Sequence, residues 1–430
     1  MSQAAPQGLV RGIRRWDLVA LVINGVIGAG IFGLPAKAFA LTNTYSLFAL
    51  LACAVFASLI ILCFAEVSSR FTGTGGPYLY AREAFGKHTG FVIGWLMWLT
   101  RVTSFASICN LLVTYLAYFW PAADSELWRP TLITAIVVLF TVINLVGVRE
   151  AAIVSNLFAV AKLIPLLLFV AIGIFFINPQ NYSFNSPPSA ASFSATVMVL
   201  VFAFGGFETS TVAAGEVRDP QRNFPFALSV AMMLVVVVYL GIQIVCVGTL
   251  PGLATSERPL ADAATQFLGS AGGSVIVLGA VVSMAGILNA SLLAGSRLPF
   301  AMAADGSLPK LLAATHPRFH TPHMAILVSA GAALAAALAL NFVSAAAISV
   351  LTRLAIYAVT CGCVFVLRRR QGQPPAGFTV PGGAIIPTAA LGLCLWLLFH
   401  SSWRDARDVS IAAVIGLVLY FVSSTRRGGA

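Results

Sequence analysis

The sequence predicts an all-α integral membrane protein of twelve transmembrane helices, and three observations carry that prediction. Of its 430 residues, 59% are hydrophobic and 9% charged, against roughly a quarter charged in soluble domains. Mean hydropathy is +0.94, so lipid rather than water is the solvent for most of the chain. Apolar runs of roughly 17 to 25 residues, the length that crosses a hydrocarbon core, recur near 17–39, 46–69, 88–119, 130–147, 152–177, 193–215, 224–249, 272–297, 323–341, 345–367, 383–402 and 408–424. No cleavable signal sequence is expected, because the basic leader 1–16 runs into the first span without a cleavage site.

The first span is broken. Asn24-Gly25-Val26-Ile27-Gly28-Ala29-Gly30-Ile31-Phe32-Gly33-Leu34-Pro35 puts four glycines and a proline where an unbroken apolar helix is expected. Backbone freed at membrane depth survives only against protein or a water-filled cavity. Transporters use such interrupted helices to expose backbone to a solute near the midplane. The break also starts a half-helix whose free N–H groups and positive dipole end suit an anionic group such as a carboxylate.

The second span carries Glu66 near its cytoplasmic end, and the third is longer than lipid requires and contains Arg101. The fifth contains Lys162, some ten residues in, which is about 15 Å below its cytoplasmic start at 1.5 Å per residue. An ammonium at that depth finds internal partners or gives up its proton. It is therefore either a proton switch or a structural lysine bonded to carbonyls. The sixth span is interrupted at Phe204-Gly205-Gly206-Phe207-Glu208-Thr209-Ser210. Glu208 there is open to two roles, a protonatable group beside the site and a carboxylate that caps broken helix ends. The tenth contains Arg353, and the sequence does not decide whether Arg101 and Arg353 line a cavity or pair with carbonyls.

Spans one and six enter from opposite sides. Paired interruptions in corresponding segments point to two inverted halves, 17–177 and 193–367, with 383–424 outside the repeat. Basic residues set the orientation. Arg11, Arg14, Arg15, Arg70, Arg82, Lys87, Arg149, Arg218, Arg222, Arg297, Lys310, Arg318, Arg368, Arg369, Arg370, Arg426 and Arg427 fall on one side, and Arg129, Arg258, Arg404 and Arg407 on the other. That bias places both termini in the cytoplasm. It also accounts for the net charge of +11 without a nucleic-acid partner. The seven cysteines, all within apolar segments, read as packing residues.

Three motifs in order resemble the amino acid–polyamine–organocation (APC) transporters. Gly28-Ala29-Gly30-Ile31-Phe32 resembles that family's first-helix signature. Ala214-Gly215-Glu216-Val217-Arg218-Asp219-Pro220-Gln221-Arg222-Asn223-Phe224-Pro225 resembles the signature after helix six. Arg297 with Ala304-Asp305-Gly306-Ser307-Leu308-Pro309, and later Thr321-Pro322, resembles the loop after helix eight. The resemblance covers essentially the whole chain. It implies a leucine-transporter-type fold of five plus five inverted helices, with helices one and six broken and access alternating between the two sides.

The resemblance further implies a substrate carboxylate on the amides of the first break and an amino group on carbonyls of helices one and six. The residues concerned are Ile27, Gly28, Ala29, Gly30 and Ile31 with Phe202, Ala203, Phe204, Gly205 and Glu208. Phe202 matches a bulky aromatic that relatives hold over the substrate. Lys162 matches a lysine that replaces a sodium ion in proton-coupled members.

The expected function is thus secondary active transport in the plasma (inner) membrane, with proton-coupled symport of neutral amino acids by alternating access. Exchange, or transport of cationic amino acids or polyamines, is the alternative. No cofactor or metal is expected, and the partners are an amino acid, a proton and the lipid bilayer. A membrane enzyme is disfavoured because the sequence holds neither H-E-x-x-H nor G-x-S-x-G. A channel is disfavoured because no pore-loop filter is discernible.

Overall fold

A computed structural model describes residues 12–71, 75–146, 151–212, 214–370 and 376–425. Arg11, Arg149, Arg426 and Arg427 of the charge argument lie outside the described residues. Among the described residues the regular secondary structure is helical apart from one isolated parallel bridge, Ile13 with Val217.

The first apolar run forms two half-helices, α1 (Arg15–Val26) and α2 (Ala29–Thr42), separated at Ile27 and Gly28. A turn at Asn43, with φ of +50°, leads into α3 (Ser46–Ser68). A short helix α4 (Pro77–Phe85) precedes α5 (Lys87–Leu116), and α6 (Trp128–Val146) and α7 (Ala151–Gly173) follow. The sixth run is again divided, into α8 (Ala190–Phe204) and α9 (Glu208–Val212). Next come α10 (Pro220–Thr249), α11 (Pro259–Ala304), α12 (His323–Ala339) and α13 (Phe342–Arg369). The chain ends with α14 (Ile385–Phe399) and α15 (Trp403–Thr425).

Among the described residues, six helical segments are long and apolar enough to cross a bilayer, and seven if the bent pair α14–α15 counts as one span. The half-helices α1, α2 and α8 are short because glycine at each break removes the side chains that would sustain a continuous helix. Helix α11 is longer than its apolar run because it bends at Gly269, whose φ of +68° admits a leading helical turn from Pro259 onward. Expected spans eleven and twelve are present as helices but meet at 106°.

The core is built around α5, which packs along α11, α13 and α12. Helices α6 and α7 turn Val138, Leu139, Val142, Ile164, Leu167 and Leu168 outward, each about half exposed. Apolar side chains presented in that number fit a lipid-facing wall. All seven cysteines are buried and free. Charge is held inside: Glu66, Lys162, Glu208 and Arg353 are all buried. Glu66, near the end of α3, accepts from Arg368 at 2.7 and 2.5 Å and from the Val380 amide at 2.8 Å.

Candidate functional site

The two breaks cross. A Cβ on Gly30 would lie 2.5 Å from Ala203 Cα, and one on Gly25 would lie 3.0 Å from the Gly206 carbonyl oxygen. Residues 25 to 30 therefore run antiparallel to 206 to 203, backbone against backbone. Only glycine permits that approach at Gly30. Gly206 has a second constraint, a φ of +115° that L side chains rarely adopt.

Each break leaves backbone groups without helical partners. At the end of α1, Lys162 Nζ donates to the carbonyls of Asn24 and Ile27, at 2.7 Å each. The Tyr239 hydroxyl on α10 lies 3.1 Å from both the Val26 and Ala203 carbonyls, so it bridges the two breaks. The start of α2 is different. Its N-cap is Gly28, which has no side chain to cap with, and the first amides of a helix have no intrahelical acceptor.

Across the cavity, Glu208 is surrounded by donors. Its Oε1 accepts from Arg353 at 2.5 Å and lies 3.8 Å from Arg101. Its Oε2 accepts from the Tyr357 hydroxyl at 3.0 Å and from the Gly206 amide at 2.8 Å. Arg353 also donates to Ser349 and Ser104, at 3.4 and 3.2 Å. A Cβ on Gly205 would lie 2.7 Å from Arg353 Cζ, so glycine makes room for the guanidinium. Arg101 donates to the Thr209 hydroxyl.

Between the breaks lies a cavity of about 40 Å³, lined by Gly25, Val26, Gly28, Ala29, Gly30, Arg101, Ser104, Ile108, Phe202, Gly205, Gly206, Ile287, Ser291 and Arg353. Water needs about 10–15 Å³ on this measure, so the space holds about three waters, fewer heavy atoms than an amino acid carries.

The structure sorts the residues singled out from the sequence. Gly28, Ala29, Gly30, Phe202 and Gly205 line the cavity. Ile27 is fully buried and contributes its carbonyl to Lys162. Ile31, Ala203 and Phe204 do not line the cavity. Ala203 is consumed by the contact with Gly30, and Phe204 turns onto Tyr239 with ring centroids 5.3 Å apart. Glu208 does not line the cavity itself but touches three groups that do, Arg353, Arg101 and the Gly206 amide.

Tyr239 and Tyr357 were missed by sequence reasoning. The available signal was chemical: a phenol in an apolar helix must find a partner, and Tyr357 lies one helical turn from Arg353.

Residues 13–421 match the family model described as amino acid permease. The chain is 29% identical to the methylthioribose transporter of Bacillus subtilis (strain 168), over 99% of this chain and 96% of the relative. It is 28% identical to the serine/threonine exchanger SteT of the same organism, over 95% of each. It is 25% identical to that organism's branched-chain amino acid permease BcaP, over 98% of this chain and 94% of the relative. A multi-pass apolar helical chain with this match belongs to the amino acid permeases of the APC superfamily.

Proposed function

We propose that this chain is a secondary active transporter that carries an amino acid together with a proton by alternating access. One observation carries the reading. Lys162 holds the carbonyls of Asn24 and Ile27, and Gly28, the next residue after Ile27, lines the cavity. A removable charge thus sits one peptide from the substrate space. In this reading the substrate carboxylate binds the uncapped amides at the start of α2, and the amino group binds carbonyls of the two breaks.

The proposal includes twelve spans, inverted units 17–177 and 193–367, the pair 383–424 outside them, and both termini on the cytoplasmic side of the inner membrane. The antiparallel crossing of the breaks supports the inversion. Substrates are amino acids without a cationic side chain, the neutral class expected from the sequence among them. Support comes from Glu208, the acid nearest the cavity, whose oxygens are both engaged. Exchange is a second reading, favoured by the similarity to a protein named as a serine/threonine exchanger.

The test is uptake into proteoliposomes of the common amino acids and several polyamines, with and without an inward proton gradient. Accumulation that requires the gradient is the expected result. Gradient-insensitive counterflow moves the assignment to exchange. Uptake of a polyamine alone overturns the amino acid reading.

A further inference from the structure

The charges around the cavity do not balance. Arg353 and Arg101 contribute two positive charges and Glu208 one negative charge, all on one short arc of the wall. Glu208 is committed to Arg353 at 2.5 Å, with Arg101 farther off at 3.8 Å. The hydrogen bonds of Arg353 are distributed over Glu208, Ser349 and Ser104. Arg101 differs. Of the five N–H donors a guanidinium carries, one is used among the described residues, to Thr209. Its side chain is 11% exposed, and it lines the cavity beside Ser104 and Ser291. A second small cavity, between α5, α11 and α12, also ends on Arg101.

A buried cation with unfilled donors is costly until an anion meets it. We propose that Arg101 forms a subsite for an anionic side chain, so that the preferred substrates are acidic amino acids of aspartate or glutamate size. The inference rests on the amino acid transport reading above and deepens it. The two substrate carboxylates would then have separate receptors in one cavity, the uncapped amides of α2 for the backbone carboxylate and Arg101 for the side chain. Arginine suits this role because its planar fork grips a carboxylate through two parallel bonds. A neutral side chain leaves the excess charge of Arg101 unmatched, and a cationic one adds to it.

The experiment is proton-gradient-driven uptake by the full-length chain in proteoliposomes, with labelled L-aspartate, L-glutamate, L-serine, L-alanine and L-arginine at equal concentration. The expected kcat/KM for aspartate or glutamate exceeds that for alanine at least tenfold, and arginine is not taken up. In Arg101→Gln the ratio of acidic to alanine uptake falls at least tenfold, while Arg101→Lys, which keeps the charge, retains an acidic preference. A ratio of rates is insensitive to how much variant inserts, and the wild-type ranking needs no variant at all. Serine or alanine leading in the wild type, or an unchanged ratio in Arg101→Gln, overturns the proposal and leaves Arg101 as a partner of Glu208 and Thr209 only. Accumulation of none of the five is a failure of the transport reading itself and removes this subsite with it.

Discussion

Replacing Lys162 with methionine separates the two roles open to this residue. Methionine is unbranched and apolar, so it follows the path of the lysine stem without strain. What it removes is the pair of bonds to Asn24 and Ile27, each 2.7 Å long. Hydrogen bonds to a charged group contribute about 1.5–3 kcal/mol and neutral ones about 0.5–1.5. Adding or removing the proton therefore changes the grip on α1 by roughly 2–3 kcal/mol over the two bonds. At 1.4 kcal/mol per decade that is roughly a 30- to 150-fold change in the balance between a held and a released α1. Losing both bonds also strands the buried Ile27 carbonyl, at about 1–3 kcal/mol.

The assay is uptake into proteoliposomes with and without an inward proton gradient, alongside counterflow with substrate on both sides. In Lys162→Met the stimulation by the gradient should fall to about unity while counterflow remains measurable. A purely structural lysine gives a different pattern: a lower melting temperature and slower transport, with stimulation by the gradient intact. Gradient-driven accumulation at the wild-type ratio in Lys162→Met refutes the coupling argument.

Three further substitutions probe the walls of the site. Gly30→Ala forces α2 and α8 apart by about 1 Å to restore an ordinary carbon–carbon contact, at about 1–3 kcal/mol of overpacking. Gly28→Ala meets the flexible Ile287 Cδ1 terminus at 2.9 Å and the Val26 carbonyl at an ordinary 3.8 Å, and Gly331→Ala meets nothing within 4 Å. Substrate affinity should therefore fall steeply in the first, mildly in the second and not in the third, and equal affinities for Gly30→Ala and Gly331→Ala contradict the crossing. Glu208→Gln leaves two guanidinium groups without their anion, a loss of roughly 3–5 kcal/mol for a broken buried pair; an unchanged melting temperature in detergent shows that the pair contributes nothing. Tyr239→Phe removes the hydroxyl between the Val26 and Ala203 carbonyls at about 1–2 kcal/mol, and a wild-type melting temperature rejects the bridge.

Much of the fold was legible because lipid permits so few backbone solutions. Glycine and proline inside an apolar run have one physical meaning at membrane depth, an interruption, and both interruptions fall where the sequence put them. The partners were not legible. Gly30 and Ala203 touch across 172 residues of intervening chain, and no local pattern encodes that pairing. Lys162 binds carbonyls, which every residue carries, so nothing in the sequence marked Asn24 or Ile27. The faces of α5 and α13 were unreadable for another reason. Helices apolar all around have no stripe to say which side faces inward, so Arg101 and Arg353 stayed ambiguous until Glu208 was found between them. Helix α4 and the leading turns of α11 escaped because a search for long apolar runs passes over short segments outside those runs.

The geometry also bears on how proton and substrate could be linked in the proposed cycle. The Ile27 carbonyl that receives Lys162 and the Gly28 amide beside the cavity belong to one peptide unit. That unit is planar and stiff, so displacing its oxygen rotates its nitrogen, and the adjoining start of α2 moves with it. On the other break, α9 is tied through Glu208 to α13 by Arg353 and the Tyr357 hydroxyl and to α5 by Arg101 at 3.8 Å, while the Gly206 amide holds the same carboxylate from within the break. One wall of the cavity is thus held by several bonds to neighbouring helices, and the other hangs on a lysine whose charge can change. Coupling in this reading runs through α1. A Glu208 variant that still folds should then keep its dependence on the proton gradient, whereas Lys162→Met should lose it. The reverse ranking would transfer the proton to the carboxylate and make α9 the moving wall.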